Sequence, residues 1–300
     1  MRSKSNDTQS ASITQSLSAL GACLLAVLAF SFTLPATRIA SAELRPAILG
    51  FGRASLAAAL AAVLLWRGRA RLPPRRHAGA LAAVACGGVL GFPWLTSMAL
   101  RAAPAHHAVV VIGLVPLCTA LFASLRGPER LSRSFWLAAS CGAATVLLFA
   151  TREHGFTLVG DDLLLLLAVV GVAVGYAEGG RAAVELGGWQ VICWALVFAA
   201  PVSVLLLGID LYRHGVPALS WSSATAFLYV SFVSQVLGFC LWYRGLSGCG
   251  VARGSQVQLL QPLLSLGWCA ALLGEPLAAS TVLAAGGVLA SVCVAQRARR

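Results

Sequence analysis

Amide and hydroxyl side chains recur at helical spacing inside apolar stretches of the sequence, where a polar group is unfavourable unless it has a partner or faces water. Amides donate and accept hydrogen bonds together, so they suit a zwitterionic or polar small molecule. We predict that these side chains line a binding cavity; hydrogen bonding between helices is the alternative that the pattern leaves open. The residues are Gln258, Gln261, Ser265, Ser231, Ser234 and Gln235.

Two aromatic residues in similar stretches, Trp94 and Tyr176, are further candidates for the cavity wall. Trp94 suits equally well the belt where a membrane meets water. Pro116 and Pro262 each remove a backbone donor and free a carbonyl on the preceding turn. We predict that these prolines mark helix breaks that act as hinges, with static kinks as the alternative.

Arg53 is a charged residue within an apolar run, and an arginine at such a depth is paired, hydrated or extended towards the surface. A structural bond to carbonyls or to a partner helix is one interpretation, and binding of a carboxylate is the other. Glu129 and Glu275 closely follow their apolar runs. Their positions predict helix-end caps or gate contacts, and not proton carriers.

Several chemistries lack their usual motif in this sequence. There is no HExxH, and His106 and His107 lie at the outer end of the predicted span 105–125, where a surface role is the default. The nine cysteines include no CxxC pair, and we predict neither a metal nor another cofactor. The net charge of +12 comes mainly from arginines in short breaks between apolar runs, which argues against nucleic-acid binding.

The elements that would position these residues are helices in a membrane. Hydrophobic residues make up 59% of the sequence and charged residues 11%, against about 25% charged residues in an ordinary soluble domain. Backbone groups in lipid must pair within their own segment, and one helical crossing takes about 20 apolar residues. The sequence predicts ten such spans, at 17–39, 45–66, 78–100, 105–125, 134–151, 162–181, 188–209, 222–243, 251–272 and 279–296.

Short loops rich in arginine and lysine stay on the cytoplasmic side of a membrane. The densest arginine cluster lies at 67–76, after the second predicted span, and most other basic residues fall on the same side. This distribution predicts that both termini are cytoplasmic. The polar segment 1–16 is then a disordered cytoplasmic tail, and 297–300 is a basic cytoplasmic tail.

The chain aligns with itself at an offset of 146 residues. The anchors are Pro116 with Pro262, Glu129 with Glu275, and, one residue out of register, LGF at 90–92 with LGF at 237–239. The two copies, 17–151 and 162–296, hold five predicted spans each, and an odd number makes the second copy insert upside down. Inverted repeats suit alternating access, in which a central cavity opens to either side of the membrane in turn.

These features resemble the EamA-type transporters of the drug/metabolite transporter superfamily. The residues that carry the resemblance are Phe30, Ser31, Phe32, Arg53, Pro116, Trp242, Gly245, Leu246, Pro262 and the run from Gly274 to Leu277. The resemblance covers nearly the whole chain and implies a ten-helix carrier of the bacterial inner membrane, with exporters of amino acids and other metabolites among its relatives. Phe30 stands where the family usually has tryptophan, and Pro35 interrupts the first span. Phe30 is a candidate for the cavity wall, and Pro35 is a candidate for a helix break.

The function predicted from these observations is secondary export of small molecules, first of all hydrophobic or aromatic amino acids, without enzymatic activity. No carboxylate lies at the middle of a predicted span, which favours facilitated movement over proton exchange. A broad multidrug exporter is the alternative, and an intramembrane enzyme is a more remote one. The expected partners are a small-molecule substrate and the lipid bilayer, and the duplication is compatible with a monomer.

Overall fold

Helices joined by short loops make up the part of the chain that the structure describes. This computed structural model describes residues 18–125, 132–153, 160–250, 254 and 257–298, and no strand occurs in these ranges. The predicted all-α class is confirmed. The helices are α1 (Ser18–Ala40), α2 (Ile48–Arg67), α3 (Arg75–Ala99), α4 (Ala105–Leu125), α5 (Arg133–Glu153), α6 (Gly160–Leu186), α7 (Gly188–His214), α8 (Trp221–Cys249), α9 (Leu260–Leu273) and α10 (Ala279–Ala298).

Seven helices of the described residues, α1 to α4 and α6 to α8, are long and apolar enough to cross a membrane. Shorter apolar stretches occur at Trp136–Val146, Leu260–Leu273 and Ala279–Ser291. The chain is therefore a multi-pass membrane protein. The count of ten spans and the cytoplasmic termini stay predictions. The predicted tail 1–16 and the last two residues of the predicted tail 297–300 lie outside the described residues.

The loops meet at two opposite ends of the helix bundle. At one end, the Arg38 guanidinium at the close of α1 donates to the carbonyl of Leu100 in the loop after α3. At the same end, Nη2 of Arg45 lies 2.7 Å from Oδ2 of Asp210 in the last turns of α7. These contacts hold the loop before α4 against the end of α1, and the loop before α2 against the end of α7.

The loops before α3 and α7 lie at the other end of the bundle. There Nη2 of Arg76 lies 2.7 Å from Oε2 of Glu185, at the end of α6. A Cβ added at Gly68 would lie 2.7 Å from the ring of Trp189 in α7, so this glycine lets the loop pass close to the indole. The charged side chains of these loops therefore gather at the two ends, as a bilayer requires.

Small residues allow the helices between these ends to approach one another closely. A Cβ added at Gly87 in α3 would lie only 2.0 Å from the carbonyl oxygen of Gly171 in α6. Helices in lipid gain stability from such backbone packing, because lipid offers no hydrophobic drive for their association. The glycines of this pair thus set the distance between α3 and α6.

Three helices are interrupted just before a proline. The helical geometry breaks at Phe32 in α1, at Gly113 and Leu114 in α4, and at 258–259 directly before α9. Pro35, Pro116 and Pro262 follow these breaks within four residues. A proline ring has no N–H and clashes with the carbonyl four residues earlier, which explains the location of each break.

The internal repeat is visible in the winding of α3 and α8. Val84–Gly91 in α3 and Tyr229–Gly238 in α8 are wound as π-helix, with hydrogen bonds from i to i+5. Both stretches end at the glycine of an LGF tripeptide, Gly91 or Gly238. The same tripeptide therefore marks the end of a π-helical stretch in each half of the chain.

Helices at corresponding positions of the two halves pack against each other. Two such pairs, α5 with α10 and α2 with α7, share extensive contacts. The start of α4 at Ala105 contacts Glu275, which follows the end of α9, so α4 and α9 run in opposite directions. This antiparallel relation is the one that an inverted repeat requires.

Candidate functional site

The three interrupted helices meet around one small cavity between the two halves of the chain. Its volume is about 10 Å³, which is room for about one water molecule. Five of the predicted site residues, including Pro116 and Pro262, therefore lie together in the wall. The lining residues are Leu34 of α1, Val109, Ile112, Gly113 and Pro116 of α4, and Gln258, Gln261, Pro262 and Ser265 at α9.

Two amide oxygens at this cavity lack a hydrogen-bond partner. Oε1 of Gln258 and Oε1 of Gln261 are buried and accept no hydrogen bond from the described residues. A buried polar atom without a partner costs about 1–3 kcal/mol. Unpaired acceptors that line a cavity can accept hydrogen bonds from the N–H groups of a bound molecule. The cavity wall can therefore bind a hydrogen-bond donor.

The break in α1 is stabilised by the helix that faces it. Ser265 donates from its Oγ to the carbonyl of Ser31 over 2.8 Å, and the Trp268 indole N–H donates to Oγ of Ser31 over 3.1 Å. Ser31 is the residue whose carbonyl Pro35 frees. The predicted break at Pro35 is thus tied directly to the polar side of α9.

Arg53 forms a second polar group on the other side of the same break. It follows the π-helical stretch Ile48–Gly52 and is 3% exposed. Its Nη2 donates to Oγ of Ser234 over 3.1 Å, and this oxygen lies 2.8 Å from Oγ1 of Thr33. Its Nε has no partner in the described part of the chain, and no described carboxylate contacts it. Arg53 is therefore a buried guanidinium that pairs with no carboxylate of the residues that the structure describes.

Aromatic rings adjoin the α1 break beside Arg53. The ring centroid of Phe30 lies 5.2 Å from that of Phe239, 6.3 Å from that of Trp242 and 6.5 Å from that of Tyr176. Tyr176 also lies near enough to Arg53 to interact with it electrostatically. The predicted cavity-wall residues Phe30 and Tyr176 thus belong to one aromatic cluster, in which Tyr176 is the residue near the guanidinium.

The remaining hydroxyl and amide candidates of α8 are buried between helices. Ser231 donates to the carbonyl of Phe227 in its own helix over 2.7 Å. The amide nitrogen of Gln235 lies 3.4 Å from the carbonyl oxygen of Gly88 in α3, and its Oε1 has no partner among the described residues. Ser231 is therefore engaged within its helix, whereas Gln235 bridges the π-helical stretches of α3 and α8.

Trp94 lies away from the cavity. Its side chain is 38% exposed, and its ring packs against that of Phe51 at a centroid distance of 5.4 Å. Gly50 leaves room for this contact, since a Cβ there would lie 2.8 Å from Cβ of Trp94. The structure thus places Trp94 at the outer face of α2 and α3 and does not bring it to the other candidates.

Glu275 caps the start of α4. Its carboxylate accepts hydrogen bonds from the amides of Ala105 and His106, both over 2.9 Å, and lies 2.8 Å from Nδ1 of His106. Burial by itself raises the pKa of the Glu275 carboxyl, but these hydrogen bonds outweigh burial and hold the pKa below its usual range. Its predicted counterpart Glu129 lies outside the described residues.

A buried pair that sequence analysis missed joins α4 to α6. Nε2 of His107 lies 2.8 Å from Oδ1 of Asp162, and the two side chains are 2% and 1% exposed. The imidazole also stacks on Phe149 of α5, with centroids 5.2 Å apart. The available signal was a titratable residue within the first turn of each of two apolar helices.

Two further observations bear on catalysis and metals. Residues 245–248 read Gly-Leu-Ser-Gly, a spacing found in intramembrane serine enzymes, but Oγ of Ser247 donates to the carbonyl of Arg244 in its own helix over 3.0 Å. Among the described residues, no group of three or more His, Cys, Asp or Glu side chains is placed to hold a metal ion.

Comparison with known proteins assigns the chain to a family. The sequence profile of the EamA-like transporter family matches residues 17–151 and, a second time, residues 161–296. The chain belongs to the EamA-like transporter family. The resemblance seen in the sequence is thereby confirmed, and this EamA-like protein is a membrane transporter built from two copies of one domain.

Two bacterial relatives are similar to the EamA-like chain over much of its length. The uncharacterized transporter YdeK of Bacillus subtilis (strain 168) is 39% identical over 280 residues, which cover 91% of this chain and 95% of YdeK. The uncharacterized protein PA1977 of Pseudomonas aeruginosa is 30% identical over 189 residues, 60% of this chain and 62% of PA1977.

One crystal structure of another protein has the same fold. It superposes with a TM-score of 0.64 at 19% sequence identity and covers 93% of this chain and 96% of that chain. At this identity the likeness concerns the fold alone. It extends over almost the entire EamA-like chain, including both halves.

Proposed function

We propose that this transporter exports amino acids, hydrophobic or aromatic ones first, across the bacterial inner membrane by alternating access. The observation that carries the proposal is Arg53, a buried guanidinium that no described carboxylate contacts, beside a cluster of aromatic rings. A buried charge is strongly unfavourable without a partner. A substrate carboxylate would supply that partner through a bidentate, charge-assisted pair.

The opposite side of the α1 break supplies groups for a substrate ammonium. The unpartnered Oε1 atoms of Gln258 and Gln261 are acceptors, and an ammonium offers three donors. Ser31 and Thr33, on either side of the break, contact Ser265 and the Ser234 next to Arg53. A zwitterion spanning the break would therefore meet a cation on one side and acceptors on the other.

The aromatic cluster favours apolar side chains on the substrate. Phe30, Phe239 and Trp242 pack around Tyr176, the ring of this cluster that lies near Arg53. Aromatic pairs gain about 0.5–1.5 kcal/mol beyond the burial of their area. Phenylalanine and leucine should therefore be better substrates than serine or aspartate.

Transport requires the two halves to move, because the cavity has room for about one water molecule and not for an amino acid. We infer that the breaks at Pro35, Pro116 and Pro262 act as hinges when the cavity opens. The proposed arrangement has ten spans, two inverted five-helix repeats and both termini in the cytoplasm; the antiparallel α4 and α9 and the arginine distribution support it. Substrate would move down its own gradient, since the polar groups at the cavity include no carboxylate among the described residues.

Export from proteoliposomes tests the proposal. Vesicles containing the purified transporter are loaded with labelled phenylalanine or leucine, and efflux is followed with and without a pH gradient. We expect efflux without the gradient, and a loss of at least about tenfold in Arg53→Gln because one charge-assisted pair is removed. Arg53→Lys should retain part of the activity.

Arg244→Gln is the matched control, because Arg244 is an exposed arginine at the end of α8. It should transport as the unmodified protein does. Equal transport by Arg53→Gln and the unmodified protein would contradict the role of Arg53. Efflux of cationic dyes but of no amino acid would favour the alternative function, a broad multidrug exporter.

A further inference from the structure

A groove runs along the outer side of the α3 and α6 pair, away from the central cavity. It consists of two adjoining hollows of about 480 Å³ and about 310 Å³. Ala83 of α3 and Val174 of α6 line both hollows, so the two are continuous. The larger hollow lies at the end of the bundle where α3 begins and α6 ends.

The mouth of the groove carries charges of both signs. Arg76 and Arg181 face Glu178 and Glu185 there, and His77 stands beside them. Nη2 of Arg76 lies 2.7 Å from Oε2 of Glu185, and Arg181 pairs with Glu178 one turn away in the same helix. The arginines are 69% and 45% exposed, so both keep donors free for a ligand at the surface.

The inner part of the groove is apolar and narrow. Small residues such as Gly87, Gly91 and Gly171 form its floor, where the helices touch, and larger apolar side chains form its rim. From Ala80 to Leu95 the groove follows about 20 Å of helix at about 1.5 Å per residue. Half of a hydrocarbon core of about 30 Å is about 15 Å, so the groove is long enough for an acyl chain of one leaflet.

We propose that this groove binds one phospholipid with a phosphoethanolamine headgroup, whose acyl chain lies along the apolar part. The phosphate would pair with Arg76 and Arg181, and the primary ammonium with Glu178 and Glu185. The balanced charges of the mouth disfavour an anionic headgroup, because the glutamates repel it. A choline headgroup lacks the N–H donors that the glutamate carboxylates accept.

Native mass spectrometry of the full-length protein tests this inference. The detergent-purified transporter is exchanged into equal amounts of phosphatidylethanolamine, phosphatidylglycerol and phosphatidylcholine, and the bound lipids are counted. We expect retention of one phosphatidylethanolamine. Ala83→Phe, which fills the junction of the two hollows, should abolish this retention, whereas Ala82→Phe, at the exposed neighbouring alanine outside the groove, should not.

A charge variant probes the headgroup itself. Glu178→Gln removes one negative charge that attracts the ammonium and leaves both arginines, so phosphatidylglycerol should replace phosphatidylethanolamine as the retained lipid. The shift should amount to about tenfold in relative occupancy, since a charge-assisted hydrogen bond has that effect on binding. Arg244→Gln, at an exposed arginine outside the groove, should leave the preference unchanged.

Three results would overturn the inference. These are equal retention of the three lipids, equal lipid loss in Ala82→Phe and Ala83→Phe, and binding of glycerophosphoethanolamine without acyl chains as tightly as the whole lipid. The measurement counts bound lipid and not transport. Its outcome is therefore independent of the proposed amino-acid export.

Discussion

The hydroxyl of Ser265 donates a 2.8 Å hydrogen bond to the carbonyl of Ser31, the carbonyl that Pro35 leaves without its helical partner. A backbone oxygen in a membrane protein must find a donor, and here the donor comes from the other half of the chain. One side chain of α9 thus completes the broken turn of α1. This contact joins the two halves at the centre of the candidate site.

Ser265→Ala tests the strength of this contact. The variant leaves the Ser31 carbonyl short of one donor, which should lower the free energy of unfolding by about 1–3 kcal/mol. Ser247→Ala is the control, since Ser247 donates to the carbonyl of Arg244 in its own helix turn and bonds to no other described residue. Denaturation in detergent, followed by tryptophan fluorescence, measures both variants. An equal effect of the two substitutions would contradict the special role of Ser265.

Gln261→Leu separates function from stability. Its Oε1 is buried at the cavity without a described partner, so replacing the amide should leave the free energy of unfolding unchanged or raise it by about 1 kcal/mol. Transport should fall by at least about tenfold if the oxygen accepts from the substrate. Gln190→Leu, at a half-buried position near the start of α7, provides the comparison. Unchanged efflux in Gln261→Leu would count against the cavity role.

Glu275→Gln should weaken the cap of α4 and change the pH dependence of stability. The pKa of Glu275 is lower in the folded protein than its ordinary value of about 4.3. Its ionised form therefore contributes stability above about pH 4.3, and that contribution disappears as the pH falls through the lower folded pKa. At pH 7 the variant should lose about 1 kcal/mol. Melting temperatures between pH 3 and pH 7 should show the difference from the unmodified protein shrink towards acid.

Asp162 and His107 should prove coupled in a double-mutant cycle. Removing one partner of this buried hydrogen-bonded pair leaves the other polar group unsatisfied, which costs about 1–3 kcal/mol. Asp162→Asn and His107→Gln should each be destabilising, and the double variant should be less so than the sum of the two. Additive effects on the free energy of unfolding would show that the 2.8 Å contact contributes no coupling.

Alanine at two glycines should act in opposite directions. Gly87→Ala places a methyl group 2.0 Å from the Gly171 carbonyl oxygen, which should force α3 and α6 apart and cost about 1–3 kcal/mol. A Cβ at Gly286 meets nothing within 4 Å, so Gly286→Ala should raise helix stability by about 0.5–1 kcal/mol. Thermal melts of the two variants provide the measurement, and a stable Gly87→Ala protein would refute the close-approach argument.

The residues that share one helix face were accessible to sequence reasoning. Gln258, Gln261 and Ser265 have helical spacing around a proline, and the break before Pro262 turns all three towards one cavity. The prolines likewise predicted the positions of the helix breaks, and Glu275, predicted as a helix-end cap or a gate contact, lies at the start of α4. Local periodicity and proline chemistry suffice for such features.

Contacts between helices distant in the chain were not accessible in the same way. His107 and Asp162 lie 55 residues apart, and nothing in the spacing tells which faces of α4 and α6 meet. Trp94 shares the apolar surroundings of the cavity candidates but faces Phe51 instead. The π-helical winding of α3 and α8 was not predicted either, because the residue spacing was interpreted with the period of an ordinary α-helix.

The near absence of space at the three helix breaks has an electrical consequence. A cavity of about 10 Å³ has no room for the file of hydrogen-bonded waters along which protons hop. Each elementary charge that leaks across 100 mV dissipates about 2.3 kcal/mol of the cell's energy. Among the described residues, the closed junction of α1, α4 and α9 therefore offers protons no such path through this cavity.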